Sequence, residues 1–152
     1  MKCRDLTPTG WFVLLSLPAL AMSLTVPWHL SVWISPFYAT LAGLVTLCVS
    51  GVAAFLAQRA FQRHHTPYAP DAQPIFLLEH GIYAISRNPV YLALVLAMGG
   101  LGGILDSVWL PIASIVLWKL LDRCVVPFEE QRLLDIFGTD YERYKALTHR
   151  WL

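Results

Sequence analysis

Charged side chains are missing from most of this 152-residue chain. Residues 6–58 contain no Asp, Glu, Lys or Arg, and residues 88–118 contain only Asp106. Hydrophobic residues make up 57% of the sequence, which excludes an ordinary soluble domain. The net charge of +1 gives no basis for binding nucleic acid. The three cysteines are too scattered to predict a disulfide framework or a metal site.

Each uncharged stretch is long enough for two membrane spans, because one spanning helix needs roughly 20 apolar residues. We therefore expect a single-domain, all-α membrane protein with about four transmembrane helices and a cytosolic, amphipathic, helical C-terminal segment. The spans are expected near residues 10–33, 37–57, 89–103 and 108–126. Pro18 and Pro27 should kink the first span, and Pro127 should end the fourth.

Lysine and arginine flank the predicted spans on one side only. They precede the first span, lie between the second and third, and follow the end of the fourth, whereas the two opposite connections have none. The positive-inside rule therefore places both termini and residues 58–88 in the cytosol. We expect an integral, multi-pass protein of a bacterial inner membrane or an endoplasmic reticulum-like membrane. Prolines at 67, 70 and 74 predict an extended crossover over residues 64–79.

A polar cluster, HGIYAISRNPVY, occupies residues 80–91 at the start of the third span. Asn88 and Pro89 predict an N-cap and a first helical position. The free N–H groups of this helix end would attract an anion, and Arg87 beside them can make a forked contact with a carboxylate. Gly81 is expected to adopt a backbone geometry that disfavours a side chain, or to allow a close approach. Taken alone, the cluster is better explained as a capped helix whose Arg and Tyr side chains anchor it at the membrane surface.

The end of the fourth span carries Lys119, Asp122 and Arg123 on one helix face. These side chains either line a polar cavity, or the two cations extend to the lipid headgroups. Both alternatives are open from the sequence.

Beyond this span, residues 129–144 read EEQRLLDIFGTDYERY. Apolar side chains recur there at helical spacing and predict a segment that packs under the bundle. Gly138 is expected to end one short helix. Thr139 and Glu142 fit a capping box that begins another.

In order, these pieces resemble the isoprenylcysteine carboxyl methyltransferase and phospholipid methyltransferase superfamily of integral membrane enzymes. The resemblance covers roughly residues 70–152. The matching motifs are Gly81-Ile82-Tyr83, Arg87-Asn88-Pro89-Val90-Tyr91, Glu129-Glu130, Phe137-Gly138 and Tyr141-Glu142-Arg143-Tyr144.

The resemblance implies S-adenosylmethionine bound on the cytosolic side, between the last two spans, the preceding loop and the C-terminal segment. It maps cofactor contacts onto Tyr83, Asn88, Pro89, Tyr91 and Glu130, with backbone contacts from His80 and Gly81 before Tyr83. Chemistry adds Arg87 for the cofactor carboxylate. Glu130 suits the ribose diol or the ammonium, and the tyrosines suit the cation or the adenine.

The expected reaction is an in-line methyl transfer to a lipid-like or apolar acceptor, which requires no metal. A carboxylate acceptor needs no base, whereas an amine or a thiol must first lose a proton. The catalytic candidates are Arg87, Glu129 and Asp122, with His80 as a further base. Lys119 and Arg123 are candidates for holding an acidic substrate group.

Two departures from the resemblance bear on the acceptor. Asn88 stands where the prenylcysteine enzymes have His, and Val125 stands where they place a carboxylate-binding Arg, so that Arg123 is the nearest replacement. Both departures count against a prenylcysteine.

Two other functions fit the sequence: a non-catalytic four-helix interaction protein, and a sterol-reductase-like enzyme that uses NADPH. Oligomeric state is not predicted. The pairs Gly99-Gly100 and Gly102-Gly103 are interpreted as sites of close helix packing rather than as a nucleotide loop.

Overall fold

The computed structural model describes residues 7–63 and 76–152, which form α-helices and short helical turns and contain no strand. The helices are α1 (Pro8–Thr25), α2 (Pro36–Arg63), α3 (Pro89–Ile104), α4 (Trp109–Leu120), α5 (Val126–Phe137) and α6 (Thr139–Leu147). The predicted all-α class is confirmed. The predicted crossover falls largely on residues 64–75, which lie outside the described residues.

Two of the described helices, α1 and α2, are long and apolar enough to cross a membrane. The other two predicted spans correspond to shorter helices, of 16 residues in α3 and 12 in α4. Large apolar side chains of α1 and α2 face outward, and Leu17, Leu24 and Phe37 are 62%, 80% and 69% exposed. Water would solvate such a surface poorly, so the two helices associate with the membrane.

The first helix is shorter than expected. Pro18 lies inside α1, but the helix ends at Thr25 instead of running to residue 33. Pro27 follows two residues later, and a proline disfavours the helical conformation of the residue before it. The chain then forms a 3₁₀ turn, Leu30–Val32, before α2 begins.

Asp106 joins the α1–α2 connection to the α3–α4 connection. Its two carboxylate oxygens accept hydrogen bonds from the backbone N–H and the hydroxyl of Ser31, both at 2.7 Å, and His29 Nδ1 lies 3.3 Å from Oδ2. Nearby, Val108 N–H donates to the Trp28 carbonyl at 3.0 Å. These contacts hold the two turns together at the end of the bundle opposite the polar motifs.

Glycines bring α2 and α3 into close backbone contact. A Cβ atom added to Gly43 would lie 2.6 Å from the Gly100 carbonyl oxygen, and one added to Gly103 would lie 2.6 Å from the Ala39 carbonyl oxygen. The packing interpretation of the glycine pairs is therefore confirmed. Between α1, α3 and α4 lies a small apolar core that includes Ala19, Met98, Leu110 and Leu117.

The predicted helix end at Pro127 is wrong. A π turn, Leu121–Val125, joins α4 to α5, and the chain stays helical to Phe137. The Val126 N–H donates to the Leu121 carbonyl, five residues back, so the wider turn lies directly before the proline. A proline is tolerated there because it follows the π turn directly and falls in the first turn of α5. Cys124 is disulfide-bonded, although the scattered cysteines predicted no disulfide framework.

Gly138 ends α5 with φ +52° and leads directly into α6. The predicted capping box is wrong, because Gly138 is the N-cap and no side chain caps this helix. After α6 the chain becomes extended at Thr148 and returns to the turn that precedes α3.

Candidate functional site

The two polar motifs meet in a buried ion pair. Arg87 Nη1 lies 2.9 Å from Glu130 Oε1, and the two side chains are only 9% and 10% exposed. Arg87 Nη1 also donates to the Tyr141 hydroxyl at 3.4 Å. Residues from the start of α3, from α5 and from α6 thus share one electrostatic centre.

Arg87 also carries an unused hydrogen-bond donor. Its Nε–H is buried and has no hydrogen-bond partner among the residues that the structure describes. An unpaired buried donor is costly, so a group that accepts from it would bind favourably.

The turn before α3 is shaped by Gly81. Its φ of +66° lies in the left-handed region, and a Cβ there would meet open space, so the glycine is needed for its backbone conformation rather than for a close approach. The 3₁₀ turn Gly81–Ala84 then buries Tyr83, whose carbonyl accepts a hydrogen bond from the Tyr144 hydroxyl at 2.7 Å. Burial raises the pKa of Tyr144, which keeps this hydroxyl protonated as a donor. His80 is exposed at the entry to the turn.

Asn88 occupies the N-cap position of α3 and Pro89 the first helical position, as predicted. The Asn88 side chain does not cap the helix, however, because its Nδ2 donates to the Arg150 carbonyl at 3.0 Å. The Asn88 N–H donates instead to Ser86 Oγ at 3.2 Å. The start of α3 is therefore held by the C-terminal tail, and its first turn receives no capping oxygen from Asn88.

A second carboxyl group lies beside the ion pair on α5. The Tyr91 hydroxyl, in the first turn of α3, donates to Glu129 Oε1. Burial raises the pKa of Glu129, although the hydrogen bond from Tyr91 and the charge of Arg132 act in the opposite direction. Glu129 can thus accept a proton more readily than an exposed glutamate.

Arg150 is the site residue that sequence reasoning missed. Its Nε and Nη2 donate to the two oxygens of Glu130 at 3.0 and 2.8 Å, and its Nη1 donates to Asp122 Oδ1 at 3.1 Å. Trp151 Nε1 donates to the same Asp122 oxygen at 2.9 Å. The sequence did offer a chemical indication. Acidic side chains next to apolar spans require cationic partners, and Arg150 is one of the basic residues of the C-terminal segment.

Asp122, at the end of the fourth predicted span, forms its ion pair with the C-terminal tail. Asp122 pairs with Arg150, and no ion pair in the described ranges joins it to Lys119 or Arg123. The side chains of Lys119 and Arg123 are exposed. This geometry favours the alternative in which both cations extend to the headgroups.

The protein-family model that matches the chain is that of phospholipid methyltransferases, and it covers residues 38–140. No curated protein and no solved structure matches the chain. The match spans more than half of the chain and takes in the buried ion pair, the Tyr91–Glu129 pair and the glycines between α2 and α3. The chain therefore belongs to the phospholipid methyltransferase family.

Proposed function

We propose that this protein is a membrane methyltransferase that uses S-adenosylmethionine and transfers its methyl group to a lipid-like or apolar acceptor. The observation that carries the proposal is the buried contact between Arg87 and Glu130, which unites the motif before α3 with the acidic motif of α5. A pair so deeply desolvated gains little stability, which favours a use in binding.

The donors and acceptors around this pair fit the cofactor. The unpaired Nε–H of Arg87 and the uncapped first turn of α3 both suit its carboxylate. Glu130 Oε2 accepts one hydrogen bond from Arg150, so a lone pair remains for a ribose hydroxyl or the ammonium group. Tyr83, Pro89 and the backbone of His80 and Gly81 would form the rest of the site.

When bound, S-adenosylmethionine supplies an activated methyl group on a sulfonium ion. The protein then has to hold the acceptor in line with that group, which is worth roughly 7–11 kcal/mol. For an amine or thiol acceptor, Glu129 would take up the proton, and Tyr91 would orient its carboxyl group. Arg123 and Lys119, both exposed, would attract an acidic headgroup, whereas Asp122, held by Arg150, is a weaker candidate for a base.

The proposed acceptor would arrive from the bilayer, because α1 and α2 present apolar side chains outward. In the topology we propose, one domain spans the membrane several times, with both termini and the site on the cytosolic side.

Isothermal calorimetry of the full chain in detergent tests this proposal. S-adenosylmethionine or its demethylated product should bind in the micromolar range or tighter, about −8 kcal/mol. Arg87→Ala and Glu130→Ala should each weaken binding at least about tenfold. Arg143→Ala is the control, because Arg143 is an exposed arginine of α6.

Three results would contradict the proposal. Binding of NADPH instead would indicate a reductase, and binding of neither molecule would indicate an interaction protein. Unchanged affinity in both Arg87→Ala and Glu130→Ala would show that the cofactor does not bind at this ion pair. Transfer of a labelled methyl group to membrane lipids, prenylated thiols and small amines would then identify the acceptor.

A further inference from the structure

The C-terminal tail connects three parts of the candidate site. The His149 carbonyl accepts from the Arg87 N–H at 3.0 Å, and the Arg150 carbonyl accepts from Asn88 Nδ2 at 3.0 Å and Ser86 Oγ at 3.4 Å. The tail backbone therefore fixes the turn before α3.

The Arg150 side chain extends from this tail to two acidic residues. It donates two parallel hydrogen bonds to Glu130 on α5 and a third to Asp122 in the π turn. The planar guanidinium is suited to this task, because its donors point in fixed directions and serve two carboxylates at once. Trp151 adds a bond to Asp122 and packs edge-to-face against Trp118, with ring centroids 6.2 Å apart.

Removing this guanidinium would leave Asp122 and Glu130 close together without the charge between them. Glu130 would keep Arg87 and, at 3.9 Å, Lys145, but it would lose both hydrogen bonds that fix the plane of its carboxylate. The two carboxylates bond the same guanidinium, so without it they would repel each other, and burial of Glu130 limits the screening on its side.

We infer that Arg150 is a positioning residue of the cofactor site, which holds Glu130 and, through it, Arg87 in the orientation that binds S-adenosylmethionine. This inference rests on the proposed function. Arg150 itself is 34% exposed in its side chain and acts through its carboxylate partners.

The test compares cofactor affinity in Arg150→Ala, Arg150→Lys and the control Arg143→Ala, by calorimetry, with thermal unfolding measured on the same samples. Arg150→Ala should weaken binding of S-adenosylmethionine at least about tenfold, while Arg143→Ala changes it by less than about twofold. Arg150→Lys should fold like the wild type and still bind at least about threefold more weakly, because an ammonium is a point charge without a fork.

Adding Asp122→Asn to Arg150→Ala separates the repulsion between Asp122 and Glu130 from the loss of the two hydrogen bonds to Glu130. The amide removes the repulsion of Glu130, so this double variant should regain part of the lost affinity. If Arg150→Ala does not fold, the affinity of Arg150→Lys alone tests the inference.

Unchanged affinity in a folded Arg150 variant would overturn the inference while leaving the proposed function intact. Tighter binding would also overturn it, because it would mean that Arg150 occupies Glu130 in competition with the cofactor. A loss of affinity that is matched by unfolding at the binding temperature in both Arg150 variants would assign the loss to folding alone and overturn the inference. Failure of the wild type to bind would overturn the proposed function and this inference together.

Discussion

Replacing Gly103 by alanine should destabilise the protein through the contact between α2 and α3. The added Cβ would lie 2.6 Å from the Ala39 carbonyl oxygen and 3.0 Å from Gly43 Cα. Both neighbours are backbone atoms, so the clash is relieved only if the helices separate. Gly99→Ala is a matched control on the same helix, because its nearest neighbour would be Ser114 Oγ at 3.5 Å, an ordinary contact.

Two opposing effects set the magnitude. Overpacking a tight contact costs about 1–3 kcal/mol, and a clash with backbone on both sides belongs at the upper end. Replacing glycine by alanine inside a helix returns about 0.5–1 kcal/mol. The net expectation for Gly103→Ala is a loss of about 2 kcal/mol, whereas Gly99→Ala should be neutral or slightly stabilising.

Thermal unfolding in detergent measures this difference. For a chain of this size, about 2 kcal/mol corresponds to a midpoint lower by roughly 4–8 °C. Affinity for S-adenosylmethionine in the folded fraction should stay unchanged, because these glycines lie in the α2–α3 contact and not among the polar motifs. A Gly103→Ala protein as stable as Gly99→Ala would refute the packing argument, and a selective loss of affinity would revive the nucleotide-loop interpretation.

Three further outcomes are expected. Arg87→Lys should bind S-adenosylmethionine at least about fivefold more weakly at unchanged stability, because lysine lacks the forked donors of arginine. Equal affinity of the two proteins by calorimetry would contradict this. Burial raises the pKa of Glu129 above its usual value near 4.5. As pH rises from that value through the raised pKa, the wild type should therefore lose stability relative to Glu129→Gln. Unfolding midpoints of both proteins at a series of pH values show whether the difference changes in this direction. Hydrogen bonds from Ser31 lower the pKa of Asp106, so the wild type should lose its advantage over Asp106→Asn as pH falls below about 4, and a constant difference would contradict this.

Local chemistry predicted the elements that depend on neighbouring residues. Asn88-Pro89 gave the start of α3, Gly81 gave its left-handed turn, and Gly138 gave the end of α5. Each of these depends on backbone geometry that one or two residues determine.

Features that depend on distant partners were not predictable in this way. Arg150 pairs with residues 20 and 28 positions earlier in the chain, and spacing along the sequence says nothing about such a contact. Asp122 was predicted to share a helix face with Lys119 and Arg123, because helical spacing identifies only neighbours of this kind. Pro127 was read as a helix end because the π turn that accommodates it has no local signature.

That wide turn makes Pro127 more than a tolerated residue. In a regular α-helix, Pro127 would lack the hydrogen bond to the Arg123 carbonyl and its ring would clash with that carbonyl, so the proline favours the wider turn. Pro127→Ala would allow this segment to form a regular α-helix. Asp122 would then rotate about the helix axis and move away from Arg150. The proline would thus keep Asp122 in the orientation that binds Arg150, through the backbone alone.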